Sequence, residues 1–223
     1  PERGCVLTMT STDIKNQNLQ KIKDAAEKLF LQNGIESTTV NAIAKLSGIS
    51  KVSIYNHFES KTDIAIAIAS EAIDNLEVFY KERYFGQAYQ KKNGLEQVSD
   101  ILMSFTDVGE YDATYYYFLM DFAAHMHRHM EFSEQSLHLN EKLDNVTKPY
   151  FITAVQKGRA EGTIVQGPEA EELFFLMTSA LRGVYQQYFI KEPSFDGQKA
   201  TILRDRLRML SEMLVSVLRS DRR

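Results

Sequence analysis

Residues 39–58, TVNAIAKLSGISKVSIYNHF, decide how this chain is read. Thr39 is a good helix N-cap, because its side-chain oxygen can accept from an orphan amide of the first turn. Ala42, Ile43 and Leu46 follow at helical spacing. Gly48 stands where a short interhelical turn needs positive φ, and Ile49 can plug the angle between two helices. Ser50 is a second N-cap, opening a short helix decorated by Val52, Ser53, Tyr55 and Asn56, with Ile54 and Phe58 facing inward. A connection of about three residues forces a steep crossing and leaves the second helix protruding. Its Ser, Lys, Tyr, Asn and His side chains suit the major groove of DNA. An ordinary helical hairpin inside an all-α domain has the same pattern, and this stretch alone does not separate the two.

The flanks do. Upstream, NLQKIKDAAEKLFLQNGIESTT places Leu19, Ile22, Ala25, Ala26, Leu29 and Phe30 on one face of an amphipathic helix. Asn33-Gly34 is its stop signal. Downstream, Glu59-Ser60-Lys61 opens a long helix beginning KTDIAIAIAS. The AAEKLF helix, Gly34, the Thr38-Thr39 cap, the IAKLSGISK turn and the IYNHF-x-SK ending together resemble the DNA-binding domain of the TetR family of transcriptional repressors. The resemblance spans roughly residues 14–77.

It implies a DNA-contacting set: Thr39, Ser50, Lys51, Val52, Ser53, Tyr55, Asn56, His57 and Lys61. Lys51 suits a guanine edge or a phosphate, and sequence does not choose between them. Val52 stands where the family commonly has glycine, which puts close backbone approach in doubt there; its methyls suit a thymine methyl instead. Tyr55 and His57 resemble positions that hydrogen-bond phosphates. Thr39 and Lys61 start helices whose positive ends also suit phosphates. Each has a plainer reading: Thr39 only caps, His57 only packs on the first helix, and Lys61 is only solvated.

Bulk properties agree with a two-part helical protein. The 223 residues hold one large or two small domains. Cys5 is the only cysteine, so no disulfide forms within a monomer. No apolar run reaches the ~18–20 residues that span a bilayer. PERGCVLTMTSTD lacks the pattern of a signal peptide, and Pro1 points to a processed or truncated start. A cytoplasmic location follows as the expectation. The net charge of −4 divides unevenly: residues 1–61 carry eight Lys/Arg against six Asp/Glu, and residues 62–223 carry eighteen against twenty-four. Phosphate neutralisation is local, so a weakly basic head on an acidic body suffices, and tight binding calls for two heads.

Beyond Lys61 the pattern is all-helical. Helices are expected from Lys61 to about Tyr84, Leu95 to Val108, Ala113 to His129, and Ser136 to Glu161, with Gly109 as a break and Pro149 as a kink. Two further helices, about 169–190 and 198–220, carry broad apolar faces. Part of that surface fits a four-helix dimer interface, with Met177, Leu181, Tyr185, Leu207, Leu210 and Leu214 as candidates; internal core is the simpler alternative. The middle helices concentrate aromatics and methionine, and Phe105, Tyr116, Tyr117, Met120, Asp121 and His125 are the candidate effector-binding residues, although any one of the aromatics is as readily core.

Asp121, His125 and His129 recur every four residues along one helix face. Such a row can share a transition metal, but it is more often a polar stripe or a helix–helix contact. With no HExxH, no CxxC and no thiol partner, no metal site and no cofactor is expected. No nucleophile–base pair, phosphate loop or paired-carboxylate motif emerges either, so an enzyme is not expected. The resulting expectation is an all-α chain: a three-helix helix-turn-helix DNA-binding domain at residues 14–61, joined to a larger helical-bundle domain for effector binding and dimerisation at 62–223. The implied protein is a homodimeric repressor, released from a palindromic double-stranded DNA operator by a small organic effector, with no membrane partner. The rival is a metal- or ligand-binding helical protein or enzyme with a vestigial head.

Overall fold

The computed structural model describes residues 10–111, 113–129, 134–191 and 197–220. Its elements are all helices: α1 (Ser11–Ser37), α2 (Val40–Ser47), α3 (Lys51–Tyr55), α4 (Lys61–Arg83), α5 (Gln87–Gln90), α6 (Gly94–Tyr111), α7 (Ala113–His129), α8 (Glu134–Asn145), α9 (Lys148–Glu161), α10 (Ala170–Lys191) and α11 (Gly197–Leu218). A lone antiparallel bridge pairs Ile164 with Arg219.

Local chemistry sets the ends of the first four helices. Thr10 and Asp13 form a reciprocal capping box that starts α1. Gly34, at φ 79° and ψ 157°, interrupts α1 one turn before its end, where the stop signal predicted it. Thr38 locks that break, its hydroxyl donating to the carbonyls of Gly34 (2.8 Å) and Leu29 (3.2 Å). Ser60 and Asp63 form a second capping box at the start of α4.

The buried faces then assemble the head. Ile22, Ala26 and Phe30 of α1 pack with Ile43 of α2, Ile54 of α3, Phe58, and Ile64 and Ala65 of α4. The same α4 runs on into the body, where Ile73, Leu76 and Tyr80 are buried. Head and body therefore share one rod and one hydrophobic cluster. Phe30 of α1 stacks on Phe118 of α7 at 6.3 Å between ring centroids, joining the two parts a second time.

In the body, α6 packs against α9 and α11, and α10 lies against α9 and α11. The α6–α9 approach is close enough that a Cβ on Gly94 would lie 2.1 Å from the backbone nitrogen of Gly158. Salt bridges tie α8 to its neighbours: Lys142 reaches Asp74 of α4 at 2.8 Å, and Asp144 accepts from Arg182 of α10 at 2.7 Å.

Two expectations need correction. Gly109 does not break its helix, because α6 continues to Tyr111. Pro149 does not kink a long helix; it occupies the first turn of α9, where its missing amide costs nothing, and α8 ends separately at Asn145. The short α5 was not foreseen. On the eight-residue α2, Ile43 is buried and Leu46 is 46% exposed.

Candidate nucleic-acid interface

The helix-turn-helix is built by its caps and two buried anchors. Thr39 Oγ1 accepts from the Ala42 amide at 3.2 Å and Ser50 Oγ from the Ser53 amide at 3.1 Å, so each helix begins where its hydroxyl residue stands. Gly48 adopts φ 70° and ψ 14° and donates back to the Ala44 carbonyl at 3.1 Å, closing α2 with a left-handed residue. Ile54 and Phe58 then fix one side of α3 in the core.

The opposite side is left to solvent. Lys51, Val52, Tyr55 and Asn56 are exposed, Val52 by 72%, while Ser53 and His57 are half-buried. Lys51 Nζ sits 5.8 Å from the Tyr55 ring centroid, a cation–π contact that makes one surface of the two side chains. A hydroxyl that accepts a cap bond retains its own proton to donate, so Thr39 and Ser50 combine capping with donor capacity toward a phosphate. Lys61 donates to the Glu36 carbonyl at 2.9 Å, and an ammonium carries three donors. It thus ties the start of α4 to the last turn of α1 while its charge stays at the head.

A second polar constellation joins head to body. The Asp121, His125 and His129 row on α7 meets Gly34, Ile35 and Glu36, three consecutive residues in the last turn of α1, next to its connection to α2. Asp121 accepts from the Ile35 amide at 2.6 Å, and its carboxylate lies beside Gly34. Glu36 Oε2 lies 2.8 Å from His129 Nε2 and 3.0 Å from His125 Nδ1. His125 is buried, and its Nε2 is 3.2 Å from Thr62 Oγ1 in the first turn of α4. Hydrogen bonds from His129 and then His125 hold the Glu36 carboxyl at about 2, well below its ordinary 4.5. Sequence periodicity found the α7 row. It could not find Glu36 or Thr62, which lie 89 and 63 residues from His125.

Of the candidate effector residues, the side chains of Phe105, Asp121 and His125 are described. Phe105 is buried, with its carbonyl accepting from the buried Tyr185 hydroxyl. The side chains of Tyr116, Tyr117 and Met120 lie outside the described residues. Asp121 and His125 make their polar contacts to the head instead, through Ile35, Glu36 and Thr62. A cavity of about 380 Å³ lies between α1 and α4, not inside the aromatic cluster; Lys23, Asp24, Glu27, Glu71 and Phe118 are among its lining residues. Lys23 and Glu71 pair across it.

The dimer candidates also need correction. Met177, Leu181, Tyr185 and Leu207 are buried within the protomer, and Leu210 and Leu214 are half-buried. Burial inside one chain leaves the first four no surface for another. The apolar groups that face solvent are different: Phe175 and Leu176 on α10, and Ile202, Met209, Met213 and Val217 on α11. Both helices are apolar on two sides, and periodicity alone does not say which side is turned inward.

Two capped helices crossing at a left-handed glycine, with the second raised on buried anchors and its polar side open, define a helix-turn-helix protein on a helical body. Comparison with known proteins is consistent with that class. Residues 22–68 match the family described as bacterial regulatory proteins, tetR family. An HTH-type transcriptional regulator of Staphylococcus aureus (strain USA300) is 32% identical over 90 residues, covering 40% of this chain and 48% of the relative. The chain thus spans about half the length of the curated relatives it matches. A TetR-family transcriptional regulator from Agrobacterium tumefaciens superposes with a TM-score of 0.65 at 14% identity, covering 92% of this chain and 99% of that one. The regulator FadR from Bacillus subtilis, solved with stearoyl-CoA, superposes with a TM-score of 0.61 at 18% identity, covering 89% of this chain and 98% of that one. Residues 22–68 are therefore similar to the DNA-binding domain of that family, and the chain shares the fold of these solved regulators along most of its length. The proteins it matches are transcriptional regulators, not enzymes. Among the described residues, no helix is long and apolar enough to cross a membrane.

Proposed function

We propose that this chain is a ligand-responsive transcriptional repressor that binds a palindromic operator as a homodimer. The observation that carries this reading is the open face of α3. Lys51, Val52, Tyr55 and Asn56 stand outward on a helix pinned from behind by Ile54 and Phe58, which is how a recognition helix reaches base edges. Thr39, Ser50, Ser53, His57 and Lys61 flank that face, and their donors suit the phosphates on either side.

The exposed apolar strip of α10 and α11 supports the dimer. Phe175, Leu176, Met209, Met213 and Val217 present large apolar groups to water, and a second copy related by a two-fold axis would cover the same strip on both chains. Ser179, Ala180 and Gly183 lie along α10 beside Leu176, at a spacing that lets a partner helix approach closely. Pairing in this way supplies two heads for the two halves of an operator.

The body, residues 62–223, takes the effector, and the head, residues 14–61, takes DNA, with α4 as the shared lever. An effector that binds one arrangement of α4 more tightly than the other moves the heads between operator-competent and incompetent spacings. Buried Phe105, Phe118, Phe122 and Met126 favour a largely apolar organic ligand, the class to which the acyl chain held by the Bacillus subtilis neighbour belongs. Acting on the chromosome places the protein in the cytoplasm.

The test is fluorescence anisotropy of the purified chain on labelled duplexes tiling the DNA upstream of its own gene. The reading expects salt-sensitive, sequence-selective binding by a dimer, and binding lost when Lys51 and Tyr55 are both changed to Ala. Equal affinity of wild type and variant for every fragment would refute it.

A further inference from the structure

We propose that Glu36, His125 and His129 form a binding site for a divalent transition metal of the zinc class, clamped between the head and α7. Sequence alone argued against a metal here, because the α7 row of Asp121, His125 and His129 comes with no HExxH, no CxxC and no thiol partner. The fold exchanges the carboxylate of that row. Asp121 is engaged by the Ile35 amide, and Glu36 comes across from the last turn of α1 to take its place.

The donor atoms are His125 Nδ1, His129 Nε2 and a Glu36 carboxylate oxygen, all within 4.8 Å of one another. Tetrahedral zinc with bonds of ~2.0–2.1 Å sets its donors about 3.3 Å apart. The two carboxylate–imidazole distances, 3.0 and 2.8 Å, therefore need only small expansion to admit an ion. Two histidines one helical turn apart with a carboxylate from another element is a borderline donor set, suited to zinc and its neighbours more than to magnesium or calcium. Glu36 and His129 remain partly exposed, which leaves a fourth position open to water.

Surrounding bonds hold each ligand in place. His125 is buried, and Thr62 Oγ1 lies 3.2 Å from its Nε2, where it can accept the proton once Nδ1 turns from Glu36 to the ion, and so supports the ligating tautomer. Lys61 holds the Glu36 carbonyl from one side, and Asp121 holds the preceding amide of Ile35 from the other. Without the ion, the ring nitrogens share protons with Glu36 Oε2. Binding of the ion to His125 Nδ1 and His129 Nε2 displaces the proton each of these atoms holds: in a neutral ring it moves to the other ring nitrogen, and an imidazolium loses one proton to buffer. The resulting tether would fasten α7 of the body to the last turn of α1, which leads into the helix-turn-helix. Metal binding itself does not depend on the DNA-binding reading.

The experiment is calorimetric titration of the chelator-stripped chain with Zn²⁺ alone, in two buffers of different ionisation enthalpy. Saturable binding of one ion per chain is expected, with the difference between the two buffers reading how many protons leave. His129→Ala and Glu36→Gln, both at exposed positions and checked for folding by circular dichroism, should bind at least about tenfold more weakly. Thr62→Ala should weaken binding by about tenfold through the tautomer it supports. Absence of saturable Zn²⁺ binding by the wild type, or equal affinity in folded His129→Ala and Glu36→Gln, overturns the proposal.

Discussion

Replacing Met213 by Glu separates the two faces of α11 and so tests where the dimer forms. Met213 is 60% exposed in the protomer, so a long polar side chain fits there without disturbing packing, and Glu is a good helix former. Protomer stability should change by less than about 0.5 kcal/mol, as for other surface substitutions. The dimer should suffer far more. Fully burying a methionine contributes about 1.5–3 kcal/mol; the 60% of Met213 still open to solvent scales this to about 1–2 kcal/mol, and two-fold symmetry doubles the loss to ~2–4 kcal/mol before any cost of desolvating the new carboxylates. That corresponds to roughly 30- to 10³-fold in the dissociation constant. Leu181→Ala is the contrasting substitution. Leu181 is wholly buried beneath the same surface, and its truncation should destabilise the protomer by about 2–5 kcal/mol. Sedimentation velocity across a dilution series, paired with thermal denaturation, reads both effects. A Met213→Glu protein that stays dimeric at the wild-type dissociation constant would refute the assignment of this strip to the interface.

Other consequences follow from single positions. Gly34→Ala should cost about 1–3 kcal/mol from backbone strain alone, since φ 79° and ψ 157° is glycine territory and the nearest atom to an added Cβ is 3.6 Å away. Gly94→Ala should lower the melting temperature further, because its Cβ would collide with the Gly158 backbone; the reverse order in differential scanning calorimetry would contradict the packing described. The Glu36 carboxyl should titrate at about 2 by carbon NMR and move upward in His129→Ala. Its folded value is depressed, so its stabilising contribution is complete above 4.5 and disappears as pH falls toward 2. A wild-type midpoint near 4.5 would dissolve the clasp.

What could be foreseen here was local. Thr39, Gly48 and Ser50 announced their helix ends because a cap depends on a few neighbouring residues, and the structure places all three as expected. Lys61 likewise marks a helix start where the pattern put it. Helical spacing elsewhere gave a face and not a direction: on α2, Ile43 is buried while Leu46 is 46% exposed. The same ambiguity misassigned Met177, Leu181, Tyr185 and Leu207, which belong to helices apolar on both sides. Pro149 reads identically as an interior kink or a first-turn residue until the end of α8 at Asn145 is seen. Glu36 was invisible as a partner of His125 and His129 because only the folding of α7 against the last turn of α1 brings them together.

The most direct test of the central claim is the salt dependence of binding to duplex DNA from the protein's own upstream region, measured by anisotropy for the wild type and for Lys51→Ala and Tyr55→Ala. If the open side of α3 meets DNA, the logarithm of affinity falls linearly with that of salt concentration, and losing the Lys51 ammonium from a phosphate lowers the slope by about 0.9. A folded, dimeric protein that leaves every such fragment free at low salt would contradict it.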